Sequence, residues 1–257
     1  MTAPPDDRAT GNPIITAFTY VRAVVFFPFA AAAVIMGTGA AMIAARLGRR
    51  DAVDTVIRTW ARSIVGFLGL RVETEGFENL PALGRGAIFV FNHQSHLDIP
   101  SIHSVIPRTL RFGAKIELFK IPVFGAGMRT VGVLPIARAD REEVFRVYRE
   151  AAAKFREGYS FILAPEGTRQ EEPRIGPFKK GPFVFAIESQ VPIVPIVLKG
   201  TFDALPKGSR VVNAGRLTRT VKLRVLPAIE TKGMGREDLN RLMEDVRERM
   251  VGAYEGM

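Results

Sequence analysis

The sequence predicts an α/β fold with a mainly parallel or mixed sheet covered by helices, preceded by an N-terminal two-helix hairpin. After Arg71, short runs rich in apolar and β-branched residues alternate with stretches whose apolar residues recur at helical spacing. The runs are apolar almost throughout, which is typical of strands buried on both faces of a sheet. Before Arg71, a long uncharged segment is followed by an amphipathic one. These three observations determine the predicted fold class.

The composition is that of a globular protein with a strong positive charge. The chain has 257 residues, of which 47% are hydrophobic and 24% charged, enough to bury a core. Its 36 Lys and Arg residues exceed its 26 Asp and Glu residues, so the net charge is +10. Such a charge indicates an anionic partner: nucleic acid, a phosphorylated substrate or a membrane surface. The absence of cysteine excludes disulfides, thiolate metal sites and a cysteine nucleophile, and it agrees with a reducing compartment.

The first element of the hairpin is an uncharged run over residues 23–45, bracketed by Arg22 and Arg46. As a helix it would be roughly 34 Å long, enough to cross a hydrocarbon core of about 30 Å. Because the run is only moderately apolar, a half-inserted or re-entrant helix is the alternative to a full span. A cleaved signal peptide fits less well, since two acidic residues precede the run. Residues 1–13 are polar, and we expect them to be flexible.

The second element, residues 51–70, is predicted to be an amphipathic helix. Its apolar stripe consists of Val53, Ile57, Trp60, Ile64 and Leu68. Such a helix suits the headgroup level of a membrane, with Trp60 as the anchor, and the alternative is a helix docked on the core. Together the two elements predict a membrane-attachment hairpin over residues 14–70. If the uncharged run crosses the membrane, the arginines within residues 46–62 place the rest of the chain in the cytoplasm.

Seven strands are predicted after the hairpin. They are Arg71–Glu75, Ala87–Phe91, Leu110–Ala114, Val133–Ile136, Ser160–Leu163, Ile193–Leu198 and Thr220–Leu226. Apolar residues at helical spacing predict helices over Asp140–Glu157 and from Leu239 to Met250. Residues Phe178–Gly200 predict a helix that leads into a central strand, with Pro192 and Pro195 at the strand entrance or at a sheet edge. We expect this stretch to serve as scaffolding.

A candidate general base follows the second strand, in residues 87–100 (AIFVFNHQSHLDIP). Polar groups just past the carboxyl end of a strand occupy the edge where α/β proteins bind ligands. His93 and Asp98 are about 140° apart on an ideal helix, so only a strand-to-helix turn would bring them together. In such a turn Asp98 would hold one ring nitrogen and leave the other free to deprotonate an alcohol.

A metal site is the alternative to this interpretation, because all three histidines fall within eleven residues. They are His93, His96 and His103. No recognised zinc spacing is present, and no Cys or evident Glu ligand completes a set. We therefore expect no metal ion, and we expect His96 and His103 to be packing or surface residues.

A candidate phosphate-binding turn lies in residues 161–169 (FILAPEGTR). Gly167 allows close backbone approach, Thr168 offers a hydroxyl, and Arg169 offers a planar fork that suits phosphate. The preceding region carries further basic residues: Lys115, Lys120, Arg129 and Arg138. The alternative for each of them is a solvated surface charge.

Four short blocks occur in order along residues 75–200. They are NHQSHLD at 92–98, the stretch from Lys115 to Arg138, PEGTR at 165–169 and VPIVPI at 191–196. In residue type and in order they resemble the blocks of the 1-acylglycerol-3-phosphate (lysophosphatidic acid) acyltransferase family, within the glycerophospholipid acyltransferase superfamily. The resemblance assigns residues 71–257 to an α/β acyltransferase domain.

The resemblance also implies a reaction and a set of site residues. The reaction is transfer of a fatty acyl group from acyl-CoA or acyl carrier protein to the free sn-2 hydroxyl of lysophosphatidic acid, which forms phosphatidic acid in phospholipid biosynthesis. His93 would be the general base and Asp98 its orienting partner, with direct attack on the thioester and no cofactor. The phosphate would be bound by Lys115, Arg138 and Arg169, in a pocket shaped by Glu166, Gly167 and Thr168.

Several alternatives remain open from the sequence. Ala164, Pro135 and Ala137 differ from residues frequent in the family, which leaves another lysophospholipid or a lyso-ornithine-type lipid as the acceptor. A non-catalytic lipid-binding membrane protein of the same fold would explain the charge but not the spacing of His93 and Asp98. We expect no nucleic-acid partner, because the basic residues are scattered among hydrophobic strands. We expect membrane lipids as partners, at the inner cell membrane, with the catalytic domain on the cytoplasmic side.

Overall fold

The hydrophobic core is built around one sheet of seven strands. The structure is a computed structural model that describes residues 12–82, 84–137 and 140–257. Among these residues the strands are β1 (Leu70–Glu75), β2 (Ile88–Phe91), β3 (Leu110–Lys115), β4 (Leu134–Ile136), β5 (Ser160–Leu163), β6 (Ile193–Lys199) and β7 (Arg219–Val225). Each agrees to within one residue with a predicted strand. The agreement is simplest to explain for β2, β5 and β6, which are buried and apolar along nearly their whole length.

Eight α-helices accompany the strands in the described part of the chain. They are α1 (Pro13–Arg46), α2 (Arg50–Phe67), α3 (Asp98–Val105), α4 (Phe124–Val131), α5 (Arg141–Arg156), α6 (Gly181–Ser189), α7 (Thr201–Ala204) and α8 (Leu239–Glu255). The predicted helices over 140–157 and 239–250 correspond to α5 and α8. Helix α4 was not predicted from the sequence.

The strand order is β1-β7-β6-β2-β5-β3-β4. Of the described strand pairs, β6 and β7 run antiparallel and the others run parallel. The prediction of a mainly parallel or mixed sheet is therefore confirmed. Because β2, β5 and β3 are parallel neighbours, their carboxyl ends meet at one edge of the sheet. Both motif turns, 92–98 and 164–170, leave the sheet at this edge.

Both faces of the sheet are covered by helices. Strand β2 shows the alternation, since Phe89 and Phe91 pack into one core cluster while Ile88 and Val90 pack into the other. Helices α2 and α3 contribute to the first cluster, and α5, α6 and α8 contribute to the second. This double covering explains why the central strands β2, β5 and β6 are apolar almost throughout, whereas β7 keeps an alternation of polar and apolar residues.

Helices α1 and α2 form the predicted hairpin. The Phe29 and Phe67 rings stack with centroids 4.3 Å apart near one end, and Ala41, Ala44 and Val53 cluster near the other, so the helices are antiparallel. The apolar stripe of α2 is mostly buried in these contacts and in the core. The alternative of a core-docked second helix is therefore the one observed.

Helix α1 is longer than the uncharged run, because it begins at Pro13, where the Asn12 side chain accepts a hydrogen bond from Ile14 N over 2.9 Å. It is long and apolar enough to cross a membrane, and only 6% of its most apolar stretch is buried. An exposed apolar helix of this kind indicates membrane association. Of residues 1–13, predicted to be flexible, residues 1–11 lie outside the described residues, whereas Asn12 and Pro13 form the start of α1, contrary to the prediction.

Candidate active site

The first motif turn connects β2 to α3 and is organised by the Asp98 side chain. Asp98 Oδ2 accepts hydrogen bonds from Gln94 N and Ser95 N, each over 2.9 Å, and lies 2.8 Å from His93 Nδ1. The Asp98 side chain is fully buried. A buried carboxylate is tolerated because several donors converge on it. The carboxylate thus folds back on the turn that precedes it and brings His93 and Asp98 together, as their spacing required.

Three polar side chains fix the turn to the rest of the fold. Asn92 donates to Leu198 O and accepts from Leu198 N, both over 2.8 Å, which ties the end of β2 to β6. Ser95 Oγ donates to Leu205 O over 2.9 Å. Gln94 Nε2 donates to the Tyr254 hydroxyl over 3.1 Å, so the C-terminal helix also holds the turn. The sequence offered no signal for this role of Tyr254.

The His93–Asp98 contact determines which ring nitrogen is available. A carboxylate that accepts two backbone N–H groups can only accept from the imidazole as well, so the proton resides on His93 Nδ1. His93 Nε2 is then an acceptor. The His93 side chain is 17% exposed and lines the pocket described below, which leaves this nitrogen accessible to a ligand. The arrangement is chemically that of an oriented general base.

The second motif turn is bonded to the first on both sides of His93. Glu166 Oε1 accepts a hydrogen bond from His93 N over 3.0 Å, and Gln170 N donates to His93 O over 2.9 Å. Burial raises the pKa of Glu166 to about 7, against the opposing effect of the bond from His93 N. Glu166 therefore contacts the backbone of the candidate base, in addition to its predicted place in the acceptor pocket.

A pocket of about 520 Å³ opens beside His93. Its walls are mainly apolar and include Tyr148, Leu163 and Phe178, while Lys179 and Lys180 add positive charge. This size is within the range of small-ligand sites. The mixture of apolar wall and cations suits an amphiphile with an anionic head.

Lys179 and Lys180 were not predicted as site residues. They precede α6 in the stretch that was interpreted as scaffolding, and two adjacent lysines at a helix start were the available signal. Gly167 explains how Lys179 reaches the pocket. Its φ of +73° lies in the left-handed region, and a Cβ there would come within 2.9 Å of Lys179 Cε. Because Gly167 has no side chain, the aliphatic part of Lys179 can pack against its backbone.

The remaining predicted site residues lie at separate positions in the structure. Lys115 ends β3, two strands from β2, and its half-exposed ammonium lies 3.4 Å from Glu117. Thr168 is exposed and Arg169 is partly buried. Arg169 lies close enough to His96 to help lower the pKa of that imidazole, after the larger effect of the partial desolvation of the ring, which keeps one side exposed to solvent. Arg138 lies outside the described residues.

The other two histidines have the positions expected for surface and packing residues. His96 is exposed at the first motif turn. His103 is 4% exposed within α3, and burial lowers its pKa to about 3. Among the described residues, no group of three or more His, Cys, Asp or Glu side chains is arranged to hold a metal ion.

Comparison with known proteins identifies the family. A family model of acyltransferases matches residues 71–199, from β1 to the end of β6. The 1-acyl-sn-glycerol-3-phosphate acyltransferase alpha of Bos taurus is 32% identical over 208 residues, which are 80% of this chain and 71% of that protein. The chain belongs to the 1-acylglycerol-3-phosphate acyltransferase family. The resemblance carried by the four sequence blocks is thereby confirmed.

Other members of this acyltransferase family match to different extents. The chloroplastic 1-acyl-sn-glycerol-3-phosphate acyltransferase BAT2 of Brassica napus is 37% identical over 168 residues, 65% of this chain and 48% of its own length. The chain thus spans about half the length of its chloroplastic relatives. The crystal structure of the 1-acyl-sn-glycerophosphate (LPA) acyltransferase PlsC from Thermotoga maritima has a TM-score of 0.78 and 29% identity, covering 95% of this chain and 98% of that one.

Proposed function

We propose that the protein transfers a fatty acyl group from an acyl thioester, acyl-CoA or acyl carrier protein, to the free sn-2 hydroxyl of lysophosphatidic acid, forming phosphatidic acid. The observation that carries the proposal is the 2.8 Å contact between His93 Nδ1 and Asp98 Oδ2 beside a pocket that combines apolar walls with lysines. Membership of the family supports the same reaction.

The proposed chemistry is direct attack without an acyl-enzyme. His93 Nε2 accepts the proton of the acceptor hydroxyl while the hydroxyl oxygen attacks the thioester carbonyl carbon. The C–S bond then breaks, and the leaving thiolate takes the proton from His93, which restores the neutral imidazole. The nearest hydroxyl in the turn, Ser95 Oγ, is buried and donates to Leu205 O over 2.9 Å, so it is unsuited to act as a nucleophile.

The acceptor phosphate is proposed to meet the cations around the pocket. Arg169 and Lys115 come from the resemblance, together with Arg138, and Lys179 and Lys180 from the lining of the pocket. Arginine binds phosphate through two parallel N–H bonds, whereas lysine supplies a point charge. Glu166, Gly167 and Thr168 would shape the same turn. We propose no metal or cofactor, and dialysis against EDTA should leave the rate unchanged.

We further propose that α1 lies in one leaflet of the inner cell membrane, with the α/β domain on the cytoplasmic side. Near its start, Arg22 donates to Leu217 O over 2.8 Å and to Arg216 O over 3.0 Å. In the C-terminal third of α1, α4 packs on it so closely that a Cβ at Gly127 would collide with Thr38. A helix in contact with the domain at both places cannot cross the bilayer without drawing the domain in.

The location is tested by single-cysteine labelling, since the chain has no native cysteine. Ile14→Cys, near the start of α1, and Glu248→Cys, on α8, should both react with an impermeant maleimide in inverted vesicles only. Labelling of Ile14→Cys in right-side-out vesicles alone would show that α1 spans the membrane.

The activity is tested with a panel of lysophospholipids and both donor types, with products resolved by mass spectrometry. Transfer to lysophosphatidic acid should be lost in His93→Ala and retained in His96→Ala, the matched control three residues along. If the acyl group is instead transferred to another lysophospholipid, or to a lyso-ornithine-type lipid, then that lipid replaces lysophosphatidic acid as the acceptor in the proposal. Lipid binding without turnover for any donor would favour the non-catalytic alternative.

A further inference from the structure

A short exposed segment between β3 and α4 presents apolar side chains to solvent. In residues 118–123 (LFKIPV), here called the 118–123 tip, Leu118, Ile121 and Val123 are 37%, 47% and 58% exposed. Phe119 alone is buried, in a small cluster with Met128. Apolar side chains grouped on a surface indicate an interaction site.

The tip ends in a strained backbone conformation at Val123. Val123 has φ +63° and ψ −57°, and Phe124 N donates to Pro122 O over 2.6 Å, which makes a tight three-residue turn. A β-branched residue rarely adopts positive φ, and such strain persists where the surroundings impose it. Here Gly125 approaches the Phe119 carbonyl too closely for any Cβ, and Arg129 donates to the same oxygen over 3.0 Å.

The tip leads directly into the helix that packs on α1. Helix α4 begins directly after the tip and packs on α1 through Gly127 and Thr38. The outer face of α1 exposes a row of large apolar residues. It includes Val21, Val24, Ile35, Met36 and Ile43. Helix α4 therefore links the tip to a helix whose outer face is suited to a membrane.

The charges around the tip are those expected beside anionic lipid. Lys120 is exposed within the tip, and Lys115 and Arg129 are exposed on either side of it. The one acidic neighbour in the preceding turn, Glu117, lies 3.4 Å from Lys115 and is offset by it. Apolar side chains flanked by cations are typical of segments that enter the headgroup region.

We propose that the 118–123 tip is a second membrane contact, inserted into the headgroup region of the same anionic bilayer that α1 binds. Two separated contacts fix the orientation of the domain, whereas one helix would leave it free to rotate about its axis. The second contact also brings Lys115 and the end of β3 to headgroup level. The inference goes beyond the acyl-transfer activity and does not depend on it.

The test uses the cysteine-free full chain with single cysteines carrying an environment-sensitive nitrobenzoxadiazole label. Label at Ile121→Cys is compared with label at Ile35→Cys on α1 and at Glu248→Cys on α8, in vesicles of phosphatidylcholine and phosphatidylglycerol. The emission at 121 should move to the blue and be quenched by doxyl-labelled lipid, as at 35. A water-like, unquenched label at 121, as at 248, would overturn the proposal.

A second measurement does not require a label. The Ile121→Ser/Val123→Gly variant removes both apolar side chains, and glycine accepts the positive φ at 123 without strain. Flotation with the same vesicles should recover about fivefold less of this variant than of wild type or of Glu248→Ser, because aliphatic burial is lost. Equal recovery of all three proteins at limiting lipid would contradict membrane insertion of the tip. Only protein and lipid are present, so a protein partner cannot supply either signal.

Discussion

The backbone N–H of His93 donates a hydrogen bond to Glu166 Oε1 over 3.0 Å, which joins two motifs that are 73 residues apart in the chain. The His93 carbonyl is held as well, by Gln170 N over 2.9 Å. Because both backbone groups of His93 are hydrogen-bonded to one turn, that turn fixes the position of the His93 backbone, from which the imidazole side chain extends. Glu166 is thus placed as a positioning residue for His93, whatever further part it has in binding the acceptor.

The first prediction concerns the pH dependence of stability. The pKa of Glu166 is about 7 in the fold against an ordinary 4.5, so between these pH values the folded chain holds a proton that the unfolded chain has released. The free energy of unfolding therefore falls as pH rises through this window, by up to roughly 3 kcal/mol. Glu166→Gln removes this contribution but keeps an acceptor for His93 N.

Denaturant unfolding at pH 5 and pH 8 measures the difference. Wild type should lose more stability than Glu166→Gln between the two, because all other groups are common to both proteins. Parallel losses in the two proteins would show that Glu166 is ionised throughout, contrary to its buried position.

Asp98→Asn should reduce kcat by about 10²- to 10⁴-fold. The amide oxygen can still accept from Gln94 N and Ser95 N, so the turn is expected to persist. His93 Nδ1 contacts that same oxygen position, Oδ2, so the ring orientation is kept while the negative charge that stabilises the protonated imidazole during the reaction is lost. Thermal unfolding should remain close to wild type. A variant with normal kcat would mean that the negative charge of Asp98 does not contribute to proton transfer by His93.

The central strands were predictable because buried strands consist mainly of apolar residues. The 118–123 tip and α4 were not predictable from the sequence. Helix α4 contains Gly125 and Gly127, which weaken helix propensity. Both glycines are explained by close contacts, one with the Phe119 carbonyl and one with Thr38 on α1. Such contacts are tertiary, and one sequence carries no signal for them.

Pro195 is a second position where prediction from one sequence fails, because its place in the sheet depends on tertiary structure. A proline in a strand predicts an edge, yet β6 lies inside the sheet between β7 and β2. Strand β7 pairs with β6 only from Ile196 onward. Pro195, which has no backbone N–H, therefore lies just outside the β6–β7 hydrogen-bond ladder. The pairing of His93 with Asp98 was predictable because both lie in one turn. Lys179 and Lys180 had only the weak signal of two adjacent lysines at a helix start, and Tyr254 had none, since it is 160 residues from Gln94 in the chain.

Arg169→Ala should raise the KM for lysophosphatidic acid by about 10- to 100-fold with little change in kcat, as expected when a charge-assisted bond to the phosphate is lost in ground and transition states alike. Arg236→Ala is the control, since that side chain is 84% exposed and pairs with Glu188 on α6. Initial rates over a range of acceptor concentrations give both constants. Unchanged acceptor dependence would remove Arg169 from the phosphate site.

Tyr254→Phe should lower kcat by about three- to tenfold while leaving the donor and acceptor KM values unchanged, because it deletes one hydrogen bond that holds the turn of the candidate base His93. The bond is the one from Gln94 Nε2, 3.1 Å from the Tyr254 hydroxyl. The backbone contact from Lys199 Nζ to Tyr254 O, over 3.2 Å, does not depend on the hydroxyl and should keep α8 in place. A changed KM with normal kcat would assign Tyr254 to substrate binding instead.

Asp54→Asn should destabilise the fold by about 3–5 kcal/mol, because it leaves a buried arginine without its counter-charge. Asp54, on α2, lies 2.7 Å from Arg111 Nη1 on β3, and Thr109 Oγ1 donates to its other oxygen over 2.5 Å. Both charged side chains are almost fully buried, so this ion pair couples the hairpin to the sheet. Asp51→Asn, one turn earlier and exposed, is the matched control and should change stability by less than about 1 kcal/mol. Thermal unfolding of both variants in the same detergent measures the difference, and equal midpoints would mean that the hairpin is held to the sheet by apolar packing alone.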